Sequence, residues 1–280
     1  AFWERDEKLF SKLYPMSLRP QAHEIIRTWL FYTILRSLLL TKKQPFKTVM
    51  IDGFMMGPDN RPMHTSWGNI VDPEEIIGKY SSDALRYFSA TCALGQDNIF
   101  REKEVIHGVR FCTKFWNVQK FIGSSINKHK ITSISKLNLR PVDKWILSKF
   151  STLVENVTAY MEEFMFDKAI KEIEFFVWHE FADHYIEMAK HRTYKGKDKE
   201  VIFTLYTIGL GTAKLLSPFL PHVTEEAYAQ NYKGYEKKAS IHISSWPEKI
   251  LIDSEAEKEG EIVKDIISKI RQWKVENGIH

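Results

Sequence analysis

Cysteine is scarce: the 280 residues hold two, Cys92 and Cys112, at a spacing that matches neither a paired metal motif nor a disulfide framework. That count fits a reducing, cytoplasmic compartment. Long unbroken apolar runs are missing as well. "TWLFYTILRSLLL" carries Arg36, and "FTLYTIGLGTAKLLSPFLP" carries Lys214 and two prolines, so neither makes a good membrane span. The chain opens at Ala1 in polar, amphipathic sequence without a signal-peptide pattern. Internal repeats and low-complexity tracts are absent. No Ser/His/Asp or Cys/His nucleophile arrangement stands out. In "HEFADH" (179–184) a helical zinc pair would need its second His at position 183, which is Asp, so no metal site is expected. "GLGTAK" lacks the third glycine of a dinucleotide fingerprint and lies inside a helical pattern, which makes it a packing feature.

What is present describes a soluble globular chain: 44% apolar and 27% charged residues, long enough for one large or two ordinary domains. The net charge of +4 says little about partners. Its distribution says more, because Arg101 to Phe150 holds 11 Lys/Arg against three acids, a local +8. Such a block is either a solvated face or a surface that follows a phosphate backbone.

Along the chain, "AHEIIRTWLFYTILRSLLL" (22–40) has helix length with apolar residues almost all round, which predicts a buried helix. "TVMIDGFMM" (48–56) reads as a buried strand bounded by Pro45 and Gly57. Helix, strand, loop and helix in this order suit the last part of a parallel α/β unit, whose ligands bind beyond the carboxyl ends of the strands. From about residue 83 to 240 no further strand is expected. One helix puts Ile146, Phe150, Leu153, Val157, Met161 and Phe164 on a single face. Its successor does the same with Ile170, Ile173, Val177, Phe181, His184 and Met188, and a third runs over about 199–216 and ends at Ser217-Pro218. This half reads as a helical bundle. "KASIHISSWPE" (238–248) alternates like a short strand. The last helix aligns Ile262, Ile266, Ile270 and Trp273, and stopping two residues after Gly278 suggests a chain cut short.

The stretch "MGPDNRPMHTSWGNIVDPEE" (56–75) has the grammar of a nucleotide-handling loop: a Gly57–Asn60 turn, a small polar stretch, Gly68-Asn69, and a helix start at Asp72-Pro73. Between Arg61 and Lys79 it has no Lys or Arg. Further on, "VRFCTKFWNVQKF" (109–121) places Arg110, Lys114, Asn117 and Lys120 at helical spacings, giving one polar, basic face. Phe111, Phe115 and Trp116 are most simply core. On RNA this face would offer phosphate contacts and base-edge hydrogen bonds.

Taken together, "RPQAHEIIRTWLFYT", "FCTKFWNVQKFI", "DKWILSKF", "FDKAIKEIEFFVWHEFADHYIEMAKHR" and "LLSPFLPHVTEEAY" resemble, in order, the class I aminoacyl-tRNA synthetases, and among them the archaeal-type valyl branch. The resemblance implies a mainly α chain: the end of a Rossmann-like α/β nucleotide-binding fold over 1–100, an anticodon-binding helical bundle over 101–250, and the start of a C-terminal extension over 251–280. It implies an ATP-dependent valine-tRNA ligase whose partners are tRNA(Val), valine and Mg-bound ATP, a cytoplasmic monomer with no membrane contact, of which this part mainly binds the anticodon region. The His-x-Gly-His ATP signature does not occur in these 280 residues, so the chain alone is expected to be incomplete and inactive, with no tightly bound cofactor and no firm catalytic residue. Met63, His64, Thr65, Ser66, Gly68 and Asn69 match the Lys-Met-Ser-Lys-Ser loop and the Gly-Asn after it. Pro62, His64 and Thr65 stand where that loop has Lys, Ser and Lys. Gly-x-Asp-Ile-x-Arg-x-Trp becomes Ala22 to Trp29, which makes Glu24, Arg27 and Trp29 the amino-acid or adenylate pocket, and Arg110, Lys114, Asn117 and Lys120 the tRNA face. The altered loop leaves two alternatives: a catalytically degenerate paralogue acting as an RNA-binding module, or a protein-interaction bundle.

Overall fold

The computed structural model describes residues 4–127, 129–194 and 198–278. They divide into two compact units, one of residues 4–72 with 93–101, the other of Pro73–Cys92 with the residues from Glu102 onward. Among the described residues no helix is long and apolar enough to cross a membrane.

The first unit opens with α1 (Glu7–Leu13), capped by the Asp6 carboxylate, which accepts from the Leu9 N–H at 2.9 Å. β1 (Met16–Ala22) and β2 (Phe46–Asp52) then pair in parallel, from Met16 opposite Phe46 to Ala22 opposite Asp52. The crossover between them is a 3-10 turn (His23–Ile25), a wide π-type turn (Ile26–Leu30) and α2 (Phe31–Thr41). Strand, crossover and parallel strand make the expected α/β unit, although β1 itself is not apparent in the sequence. Pro20 demotes the stretch "MSLRPQA", yet a strand with one neighbour has a side whose N–H groups need no ladder partner.

The expected buried helix over 22–40 is corrected in two ways. Ala22 closes a strand, and regular α-helix starts only at Phe31. Phe31, Tyr32, Leu35, Leu38, Leu39 and Leu40 are exposed, because a two-stranded sheet offers one helix far too little apolar surface to cover it all round. After β2 the chain forms β3 (Met55–Met56), which pairs in parallel with β4 (Asn98–Ile99), a second strand the sequence pattern did not announce. A Cβ on Gly53 would strike the Gln96 carbonyl, so this approach of the two segments requires glycine.

The second unit is helical: α3 (Pro73–Tyr80), α4 (Ser82–Thr91), α5 (Glu102–Ile126), α6 (Pro141–Glu162), α7 (Phe166–Phe175), α8 (Glu187–Thr193), α9 (Lys199–Leu216), α10 (Pro221–Asn231), α11 (Lys233–Glu236) and α12 (Ser254–Glu276). Its core contains the anticipated stripe of Ile146, Phe150, Val157, Ile170, Ile173 and Phe181, each at most 1% exposed. Gly211 packs against Phe150 and Gly209 against the Tyr232 hydroxyl, which confirms "GLGTAK" as close packing. Between α7 and α8, Phe176–Ile186 is wound in wide π-type turns. Their i→i+5 bonds add a residue per turn and shift the buried face, so Tyr185 is buried where α-spacing predicts His184. The expected strand in 238–248 is a 3-10 turn (Ile241–Ile243) capped by Ser240, in a unit that holds no strand among the described residues. α12 seats on α6 through Ala256 and Gly260, the latter against Trp145, and leaves Ile262, Ile266, Ile270 and Trp273 exposed.

One buried ion network ties the bundle together. Arg192 donates to both oxygens of Asp143 (2.7 and 2.8 Å) and to both of Asp198 (2.8 and 2.9 Å), while the Tyr185 hydroxyl donates to Asp143 at 2.8 Å. Burial pushes the Asp198 carboxyl up, but Arg192, the Val201 N–H and Arg140 bring it down to about 2. With a folded pKa below the ordinary value, its stabilisation is complete above about pH 4 and is lost as pH falls through about 2. Acid unfolding in that window should therefore be shallower in Asp198→Asn than in the parent. Arg192→Met strands the buried Asp143 charge and is expected to cost about 3–5 kcal/mol in urea unfolding.

Candidate functional site

In the first unit the strand register brings candidate groups to one edge. Ala22 and Asp52 are paired at the carboxyl ends of parallel β1 and β2, where ligands of open α/β sheets bind. His23 and Glu24 leave β1 in the 3-10 turn, and Arg27 and Trp29 follow in the π-type turn. Glu24, Arg27 and Trp29 are all exposed. One face of the Trp29 ring is covered by the Arg19 guanidinium, 3.9 Å from the ring centre. His23 Nε2 lies 3.3 Å from an Asp97 oxygen that also accepts from the Phe54 N–H at 2.7 Å. These two donors hold the Asp97 carboxyl below the usual range, whereas burial pushes Asp52 up.

The loop after β3 is organised by Asn69. Its Oδ1 accepts from the His64 N–H (2.9 Å), and its Nδ2 donates to Asp59 Oδ1 (3.0 Å) and to the Pro62 carbonyl (3.1 Å). Gly57 N–H donates to the Arg61 carbonyl at 2.8 Å, and Met56 bridges Pro62 in antiparallel fashion. Thr65–Trp67 form one 3-10 turn, closed at Gly68 with φ of +66°, a conformation glycine adopts without strain. His64 Nδ1 accepts from the Ser66 N–H (3.3 Å) and lies 2.8 Å from the Ser66 hydroxyl. The Asn69 amide, then the Arg61 N–H and guanidinium, keep Asp59 below the usual carboxylate range. Met63, His64, Thr65, Ser66, Gly68 and Asn69 are thus one hydrogen-bonded loop, and α3 starts at Pro73 as expected.

In the second unit Arg110, Lys114, Asn117 and Lys120 all lie on α5, opposite the buried Phe111 and Phe115. Arg110, Asn117 and Lys120 are exposed. Lys114 is half-buried: it donates to Asp183 at 2.8 Å and stands 5.7 Å from the Trp178 ring centre. The His107 ring is parallel to Trp178 at 6.0 Å, and His107 Nε2 lies 2.5 Å from Glu174. His179 pairs with Asp183 at 3.5 Å, and among the described residues no three His, Cys, Asp or Glu side chains are grouped for a metal ion.

Two family models match the chain. "tRNA synthetases class I (I, L, M and V)" covers residues 2–101, and "Anticodon-binding domain of tRNA ligase" covers residues 143–280. The chain belongs to the class I aminoacyl-tRNA synthetases. It is 42% identical to the valine–tRNA ligase of Pyrococcus horikoshii over 99% of its own length, 43% to that of Methanocaldococcus jannaschii over 99%, and 41% to that of Archaeoglobus fulgidus over 96%. It spans about a third of those relatives: 32%, 32% and 31%. Solved synthetases share the fold. An Agrobacterium radiobacter LeuRS in a ternary complex with tRNA and LeuAMS has TM-score 0.68 at 18% identity, over 88% of this chain and 30% of that one. Mycobacterium tuberculosis methionyl-tRNA synthetase, in complex with methionyl-adenylate, has TM-score 0.68 at 17% identity, over 90% and 51%.

Within the synthetase unit the sequence pattern missed Asp97 and Asn69's role as a hub, since both work through backbone turns that residue spacing does not encode. Trp178, whose ring stands beside His107 and Lys114, lies off the α-spaced apolar stripe and is not singled out by it. Asn69→Ala removes three hydrogen bonds at once. Amide exchange at His64 should rise roughly tenfold or more, each net bond being worth about 1 kcal/mol. Bundle unfolding should be unchanged.

Proposed function

We propose that this chain is part of a valine–tRNA ligase that converts ATP, L-valine and tRNA(Val) to valyl-tRNA, AMP and pyrophosphate, and that this part chiefly binds the anticodon region. The supporting observation is identity of about 40% to archaeal valine–tRNA ligases across nearly the whole chain, with no long stretch left unmatched. In this reading residues 1–100 end the catalytic domain, 101–250 form the anticodon-binding bundle and 251–280 begin a C-terminal extension. The enzyme works as a cytoplasmic monomer on ATP carried with magnesium.

Glu24, Arg27 and Trp29 line the amino-acid pocket, Trp29 bordering the valine side chain. Packing of this kind separates valine from larger residues and rejects the near-isosteric threonine only weakly. Met63 to Asn69 lie against the nucleotide. Arg110, Asn117 and Lys120 face the tRNA, their exposure leaving them free for phosphate and base contacts. Lys114 contributes less, because Asp183 already engages its ammonium.

The test is binding of the 280-residue chain to valine tRNA and to a non-cognate tRNA across a salt series. Cognate preference is expected, with affinity falling linearly in log–log form as salt rises. Arg110→Ala and Lys120→Ala should each reduce the slope by about one unit, and Lys114→Ala by less. Salt-sensitive binding without preference would favour a general RNA-binding module. Absence of RNA binding would favour a protein-interaction bundle.

A further inference from the structure

We infer that Arg61 carries the phosphate-facing positive charge of this loop, in place of the two lysines that Pro62 and Thr65 replace. The inference rests on the ligase reading above and concerns its first step. There an oxygen of the valine carboxylate bonds to the α-phosphorus of ATP while the bond from that phosphorus to the oxygen bridging the β-phosphate breaks. The bridging oxygen keeps the electron pair and leaves as pyrophosphate, giving valyl-adenylate with no net proton or redox change. Negative charge grows on the leaving phosphates, so a cation is needed there.

Arg61 is the only Lys or Arg between Lys47 and Lys79. Its backbone is fixed: its carbonyl accepts from Gly57, its N–H donates to Asp59 Oδ1 at 3.2 Å, and the adjacent Pro62 bridges Met56. Its side chain is 67% exposed and lightly held, with Nε 3.2 Å from Asp59 and the guanidinium 5.9 Å from the Trp67 ring centre. Exposed pairs of this kind are worth under about 1 kcal/mol, so a polyphosphate can draw the guanidinium away. A guanidinium also meets phosphate through two parallel hydrogen bonds. The loop has one other candidate. His64 Nδ1 is taken up as the acceptor for the Ser66 N–H, beside the Ser66 hydroxyl at 2.8 Å. Thr65 offers a hydroxyl without charge.

Valine-dependent exchange of pyrophosphate into ATP by the full-length enzyme tests this. Arg61→Ala should lower kcat about 10²-fold or more, with KM for valine within about twofold of wild type. Arg61→Lys should retain most of the rate, and adding Pro62→Lys to Arg61→Ala should recover part of it. The wild-type rate should not fall between about pH 6 and 9, since a guanidinium stays charged throughout. Exchange by Arg61→Ala within about threefold of wild type overturns the inference and leaves the ligase reading standing. So does a wild-type rate that falls tenfold per pH unit through the imidazole range and loses that dependence in His64→Asn. A folded wild-type enzyme that exchanges no pyrophosphate overturns the inference and the ligase reading together.

Discussion

The guanidinium of Arg192 fixes three helix ends at once, and the bundle's geometry follows from it. One planar group makes two bidentate contacts, with Asp143 in the first turn of α6 and with Asp198, the N-cap of α9. Asp143 is fully buried and Arg192 is 5% exposed, so neither charge can turn to water if the geometry slips. Desolvating such ions is offset only when every lone pair and proton is matched. Lysine, a point charge without the planar fork, could not serve both carboxylates in this way. All of these contacts are met together only in one register of α6, α8 and α9.

Tyr185 reaches Asp143 from within the wide π-type turns that fill Phe176–Ile186 between α7 and α8. The buried face slides to Phe181, Ala182, Tyr185 and Ile186. Trp178 is left at the margin of the core beside His107 and Lys114 of α5. Asp183, outside that face, is the anion that holds Lys114.

The helices were legible because their burial repeats at α-spacing: Ile146, Phe150 and Val157, or Ile170 and Ile173, are set by local pattern and confirmed by packing. Where the sequence misled, something non-local prevailed. The apolar residues of α2 imply a buried helix, but burial depends on what lies opposite, and a two-stranded sheet cannot cover Leu38 to Leu40. Pro20 conceals β1, whose identity as a strand comes from its pairing with β2. α-Spacing points to His184 rather than Tyr185, because the wide turns over Phe176–Ile186 change the buried face, and Tyr185 there meets Asp143, some forty positions earlier in the chain. At the candidate site the loop's residues could be read from their resemblance, and the way Asn69 holds them together could not.

The loop also separates shape from charge. Its conformation is maintained by the Asn69 amide, the Gly57–Arg61 backbone bond, Asp59 and the left-handed Gly68, none of which is a cation acting through its side chain. In the proposed nucleotide loop, Pro62 and Thr65 in place of the lysines that the resemblance implies would remove electrostatic reach without disturbing the scaffold that would aim it. Pro62 even suits the turn, since its missing N–H is not required and its carbonyl still accepts from Asn69. A loop built this way tolerates loss of its charges structurally, so its intact fold is no measure of its chemical competence. Under the proposed reading, competence depends on whether a cation outside positions 62 and 65 can reach the phosphates, and within the loop that requirement falls on a single exposed guanidinium.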